Sequence, residues 1–101
     1  MEALAALADG TRRQLVELLA AGDRSVGELA AEFAISRPAV SRHLRVLRES
    51  GLVRSTVAAQ RRVYSLRPEP LAELDAWLGR YRALWAQRLD ALDTEIRRES
   101  R

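Results

Sequence analysis

Two helix starts crowd into one short stretch of this 101-residue chain, with room for no more than a corner between them. Ser25 stands three residues ahead of Glu28, the spacing of a capping box, in which hydroxyl and carboxylate satisfy amides that open a helix. Ser36 then precedes Arg37-Pro38, and a proline in a first helical turn gives up only an amide that has no partner there. Leu29, Ala30 and Phe33 form an apolar face on the first helix, expected to end near Ala34. Val40, Leu44 and Leu47 form that of the second, which Gly51 stops. Ala30 and Ala31 are small enough for a neighbouring helix to come close. Two helices over 26–34 and 37–49, joined through Ile35-Ser36, predict a helix-turn-helix at 25–50.

The flanking segments complete an architecture. Residues 3–8 are a short apolar run, and Asp9-Gly10 reads as a turn. Thr11 then caps a helix over 12–21 that carries Leu15, Val16, Leu18 and Leu19 and ends before Gly22. After Gly51, residues 52–57 and 62–66 are β-prone and flank Ala58-Ala59-Gln60-Arg61, which predicts a hairpin at 52–66. That connection lacks the Gly or Asn of tight hairpins, so a longer, mobile tip is expected. Pro68 and Pro70 mark the next boundary. A helix over 69–98 follows, with a near-heptad seam of Leu71, Leu74, Leu78, Tyr81, Trp85, Leu89, Leu92 and Ile96, widened by Trp77 and Leu84. From 71 to 97 it spans roughly 40 Å at ~1.5 Å per residue, more than a small helical core can cover. The class is therefore mainly α with a small β-hairpin: one winged helix-turn-helix domain over 1–101 with a long C-terminal helix.

Charge is unevenly placed. All 17 basic residues are Arg, and the net charge is +3. The segment 36–67 holds eight Arg against Glu49 alone, between two segments of net negative charge. Such a basic middle suits a polyanion. Composition removes other classes. Without Cys there is no disulfide, thiol catalysis or zinc finger, and one His leaves no set of nitrogen ligands. No apolar run is long enough for a membrane span, and no export signal is recognisable. No nucleophile–base arrangement and no glycine-rich phosphate loop suggests an enzyme, and no cofactor is expected. Arg without Lys, together with 17 Ala, suggests a GC-rich bacterial genome.

A winged helix-turn-helix assigns tasks to residue types. The second helix enters the major groove of duplex DNA with Pro38, Ser41, Arg42, Arg45 and Glu49 on its outer face. Arg37 and Arg42 can pair bidentately with guanine, Ser41 can reach a base or a phosphate, and Arg45 suits a phosphate. Ser36 offers a helix N-terminus to an anion. Gln60, Arg61 and Arg62 on the wing are placed for phosphates or the minor groove. His43 lies between the buried and outer faces; packing within the protein is its default, a DNA contact the alternative. Trp77, Tyr81 and Trp85 are expected to anchor an interface or to line a small apolar pocket.

Three runs carry a family resemblance: Ala6-Leu7-Ala8-Asp9-Gly10-Thr11-Arg12-Arg13, Val26-Gly27-Glu28-Leu29-Ala30, and Ser36-Arg37-Pro38-Ala39-Val40-Ser41-Arg42-His43-Leu44 through Val53. Together with Arg61 to Leu66 they resemble the ArsR/SmtB family of bacterial repressors over roughly 3–92. The resemblance implies homodimers that bind palindromic operators and block transcription. It implies DNA contacts at Arg37, Pro38, Ser41 and Arg42 and on the wing. It also implies a dimer interface built from the first and last helices, which would use Leu4 and Leu7 with Leu71, Leu74, Leu78, Tyr81, Trp85, Leu89 and Leu92. Two departures stand out. Metal-sensing members carry Cys pairs or His–carboxylate sets, whereas 26–34 has no Cys and the last helix has Asp75, Asp90, Asp93, Glu95 and Glu99 without His. Ala34 also replaces the usual turn glycine, at a cost of about 1 kcal/mol if that position needs a positive φ.

The expected function is a cytoplasmic, nucleoid-associated, sequence-specific repressor acting as a homodimer on double-stranded DNA, without metal, with an unidentified small-molecule effector as a further candidate partner. The alternative is a winged-helix protein-interaction module without sequence-specific DNA binding.

Overall fold

The computed structural model describes residues 1–100. In chain order the elements are α1 (Glu2–Ala6), α2 (Gly10–Ala21), β1 (Arg24–Ser25), α3 (Val26–Ala30), α4 (Arg37–Glu49), β2 (Val53–Ala58), β3 (Arg61–Leu66) and α5 (Pro68–Glu99). Contacts divide the chain into two compact units, Met1–Leu71 and the helical segment from Ala72.

In the first unit, α3 and α4 form the helix-turn-helix. Ser25 and Glu28 make the full capping box, and Ser36 Oγ accepts from the Ala39 amide at 3.3 Å with Pro38 in the first turn. The α-helix of α3 stops at Ala30 and not near Ala34: Glu32 and Phe33 donate to Leu29 and Ala30, three residues back, so the chain tightens into the corner. The helix α4 closes with a Schellman motif. The Leu52 amide bonds Leu47 O, the Gly51 amide bonds Arg48 O, and Gly51 takes φ 83, which glycine adopts without steric cost. Leu15, Leu29, Val40, Leu44, Leu47 and Leu52 have no exposed surface; they are the core on which α4 is held.

Four further local expectations change. The helix α2 begins at Gly10, because Asp9 and not Thr11 is its cap: Asp9 Oδ2 accepts from the Arg12 amide at 3.0 Å. The hairpin belongs to a three-stranded antiparallel sheet of order β1-β3-β2, in which Arg24 pairs with Tyr64 and Ser25 with Val63. A two-residue strand is too short to carry a periodic pattern. The wing tip is tight, since Ala58 pairs with Arg61 and only Ala59-Gln60 remain at the turn. The left-handed backbone falls there, on Ala59 at φ 57; Ala34 is not in that region. The conformational cost of about 1 kcal/mol sits at the wing tip.

The second unit is the body of α5. The helix begins at Pro68, so both Pro68 and Pro70 lie in its first turn, where their missing amides cost nothing. Its 32 residues span about 48 Å. Leu74 is buried, Leu71 and Trp77 are half-buried, and the remaining seam is open: Trp85 and Leu89 are each 58% exposed, with Leu78, Tyr81, Leu84, Leu92 and Ile96 also exposed. The Trp77 and Tyr81 rings lie 5.0 Å apart, and the Arg88 guanidinium stands 5.9 Å from the Trp85 ring centroid. No helix among the described residues is long and apolar enough to cross a membrane.

Candidate nucleic-acid interface

The buried stripe of α4 decides what its other face presents. With Val40, Leu44 and Leu47 turned inward, Arg37, Pro38, Ser41, Arg42, Arg45 and Arg48 are all exposed. Among the described residues the guanidinium groups of Arg37, Arg42 and Arg48 have no hydrogen-bond or ion-pair partner, so their donor forks are uncommitted. Arg45 shares an exposed 3.5 Å pair with Glu49, an i,i+4 contact too weak to hold it. Ser36 is occupied in capping, and its backbone stands at the mouth of the helix.

Ser41, Arg42, Arg45 and Arg48 meet Tyr64 of β3 around an open cleft of about 240 Å³. Its lining residues carry three guanidinium groups and two hydroxyls, a donor set suited to an anionic oxygen. Arg48 and Tyr64 were not among the expected contact residues. A signal for Arg48 was present: it lies three residues beyond Arg45 and seven beyond Ser41, on one helical stripe. Tyr64 reaches the cleft only through the pairing of β3, which no local pattern encodes.

The other expected residues divide. Arg62 is exposed and donates to Ser55 Oγ at 3.1 Å, leaving the rest of its fork open; Gln60 is exposed at the turn. Arg61 instead donates to Glu28 Oε1 and to Ser25 Oγ. His43 is half-buried and turned toward α2, with Nδ1 3.7 Å from Asp9 Oδ2 and 3.5 Å from a terminal nitrogen of Arg12. It thus sits in a contact between the recognition helix and the cap of α2, not on the outer face with Arg42. Arg12 itself also donates to Ala6 O. Of the expected interface positions in this unit, Leu4 is exposed, and Leu7 and Leu71 are half-buried.

Two carboxylates carry the local electrostatics. The Arg12 amide, helped by His43 and the Arg12 charge, holds Asp9 below its ordinary value of 3.8. The Ser25 amide and hydroxyl, with Arg61, hold Glu28 below 4.5. A carboxylate depressed on folding adds stability above its unfolded pKa and loses it as pH falls through the folded one. On this account the melting temperature should be level from pH 7 to 5 and fall below about pH 4. In Asp9→Asn, which keeps a capping oxygen, the fall should be shallower. An unchanged acid profile in that variant would remove Asp9 from the account. Among the described residues no three His, Asp or Glu side chains converge as metal ligands do.

The comparisons with known proteins agree with this geometry. Residues 9–55 match the model of the bacterial regulatory protein, arsR family. The HTH-type transcriptional regulator Rv2034 of Mycobacterium tuberculosis is 53% identical over 90 residues, covering 85% of this chain and 84% of that protein. The transcriptional repressor SdpR of Bacillus subtilis is 34% identical over 73 residues, 72% of this chain and 81% of the repressor. The homodimeric winged helix-turn-helix DNA-binding domain Mb0332 from Mycobacterium bovis, solved in solution, has a TM-score of 0.66 at 30% identity, over 81% of this chain and 76% of that one. The chain belongs to the arsR family of bacterial regulatory proteins and is a winged helix-turn-helix transcriptional regulator.

Proposed function

We propose that the protein is a homodimeric repressor that reads a palindromic operator with α4 and grips the flanking backbone with the wing. One observation carries this reading: the outer face of α4 presents uncommitted guanidinium forks beside the arginine-lined cleft against β3. Arg37 and Arg42, nearest the start of the helix, are assigned to base edges, with Ser36, Pro38 and Ser41 fitting the groove around them. Arg45, Arg48 and Arg62 are assigned to phosphates, with Gln60 at the tip beside them. The dimer is inferred from the exposed apolar face of α5 and from the homodimeric neighbour. Two recognition helices would then be presented about 34 Å apart, one turn of the duplex. The names of the relatives favour this reading over the protein-interaction module. The protein acts by binding, without catalysis of its own, and works in the cytoplasm, where bacterial operators are.

The test is selection of duplexes from a random-sequence pool, followed by fluorescence anisotropy on the winning duplex. Arg42→Ala should cost about 1–3 kcal/mol and relax preference at one position in each half-site. Arg48→Ala should weaken binding alike on all sequences and reduce the salt slope by about 1. Failure of the wild type to enrich any sequence would defeat the proposal.

A further inference from the structure

We propose that Arg61 serves DNA binding as a positioning residue: it clasps the wing to the capping box of α3 and holds no phosphate itself. This rests on the DNA-binding reading above. Arg61 opens β3 directly after the tip turn. Its Nη2 donates to Glu28 Oε1 at 2.5 Å and to Ser25 Oγ at 3.0 Å. Those are the two atoms that cap α3, where Ser25 Oγ accepts from the Glu28 amide and Glu28 Oε1 from the Ser25 amide, each at 3.2 Å. One nitrogen of the wing therefore bridges both halves of the cap.

The strand ladder shows why a clasp matters at this place. The last pair between β1 and β3 is Ser25 with Val63. From Arg62 to the tip, β3 has only β2 as a neighbour, so this end is a two-stranded ribbon, an arrangement of marginal stability by itself. Arg61 continues the tether past the last ladder pair. Side chains alternate along a strand. Arg62 shares a face with Tyr64, which lines the arginine cleft, whereas Arg61 shares the opposite face with Val63. Arg61 thus meets a carboxylate on the α3 side, and Arg62 keeps an open fork on the side of the cleft. Both members of the clasp are more than half exposed, so the effect is small, about three- to fivefold in affinity, as exposed ion pairs are.

The experiment uses the full chain, the duplex selected by the wild type, and the variants Arg61→Ala, Arg61→Lys, Glu28→Gln and the Arg61→Ala/Glu28→Gln double. Gln at the third helical position keeps the capping box, so Glu28→Gln removes only the charge that Arg61 grips. Expected are a three- to fivefold loss of affinity in Arg61→Ala and in Glu28→Gln, with no further loss in the double. The salt slope should be unchanged, and amide hydrogen exchange at Ala58 to Arg62 should be faster in the free protein. Arg61→Lys, which keeps the charge on a shorter side chain that reaches less far toward both cap atoms, should fall between wild type and Arg61→Ala. A phosphate contact predicts the reverse: Arg61→Ala lowers the slope by about 0.9, and Glu28→Gln, by removing a negative charge, tightens binding. Either result overturns the proposal, as does unchanged exchange in Glu28→Gln. If the wild type selects no duplex, the DNA-binding reading fails, while hydrogen exchange still decides the clasp.

Discussion

Leu89→Arg should produce a folded monomer that binds its operator at least a hundredfold more weakly than the wild type. Leu89 is 58% exposed on α5, so a single chain loses little when it is replaced. In a two-fold interface the substitution appears twice, and each copy places an unpaired guanidinium among Tyr81, Trp85 and Leu92 of the seam. An uncompensated buried charge costs on the order of 3–5 kcal/mol, enough to abolish a dimer of ordinary affinity. A monomer then engages one half-site and loses the gain that comes from linking two. Sedimentation velocity and anisotropy on the selected duplex check both parts. A Leu89→Arg protein that still sediments as a dimer with wild-type affinity would place the interface elsewhere. Trp85→Arg, one turn earlier, should behave the same way.

The second large effect is on stability. Leu44→Ala should lower unfolding free energy by about 2–5 kcal/mol, the range for emptying a buried leucine site. Leu44 has no exposed surface and stands on α4 between Val40 and Leu47, which are equally enclosed. For a chain of this size the melting temperature should fall by about 10 °C or more. Arg42→Ala, two positions earlier on the open face, should change stability by less than about 0.5 kcal/mol. Urea unfolding of the two variants side by side separates the faces of one helix: one substitution moves the midpoint, the other moves DNA affinity. A Leu44→Ala midpoint within error of the wild type would mean that the Val40-Leu44-Leu47 stripe does not hold the recognition helix.

How much of this was legible beforehand depended on how local each signal is. The two serine caps, Pro38 and the apolar stripe of α4 are written within one or two turns of chain, and the structure places all of them as read. The heptad seam was equally plain, because its repeat needs only the helix itself. Errors arose where two signals competed or where the partner lay far along the chain. Asp9 and Thr11 are both good caps, and Asp9 also has His43 to face, a residue on another helix. The wing tip lacks Gly and Asn, yet the ladder from Val53 to Leu66 is regular enough to draw Ala59 into a left-handed turn.

Arg61 and Arg62 show the boundary most clearly. As neighbouring arginines on one strand they read alike, as wing charges for a polyanion. Their sequence determined that both would be cationic, exposed and on opposite faces, since alternation is a property of any extended strand. Only the tertiary structure decided that Arg61 would meet Glu28 while Tyr64, on the face of Arg62, lines the cleft of α4, because these partners lie far away along the chain. Likewise, helical periodicity alone determined that a long apolar edge would run down α5. That the edge is open at Leu89, 58% exposed, is a property of the folded chain, because exposure depends on which surfaces meet and not on the periodicity of one segment.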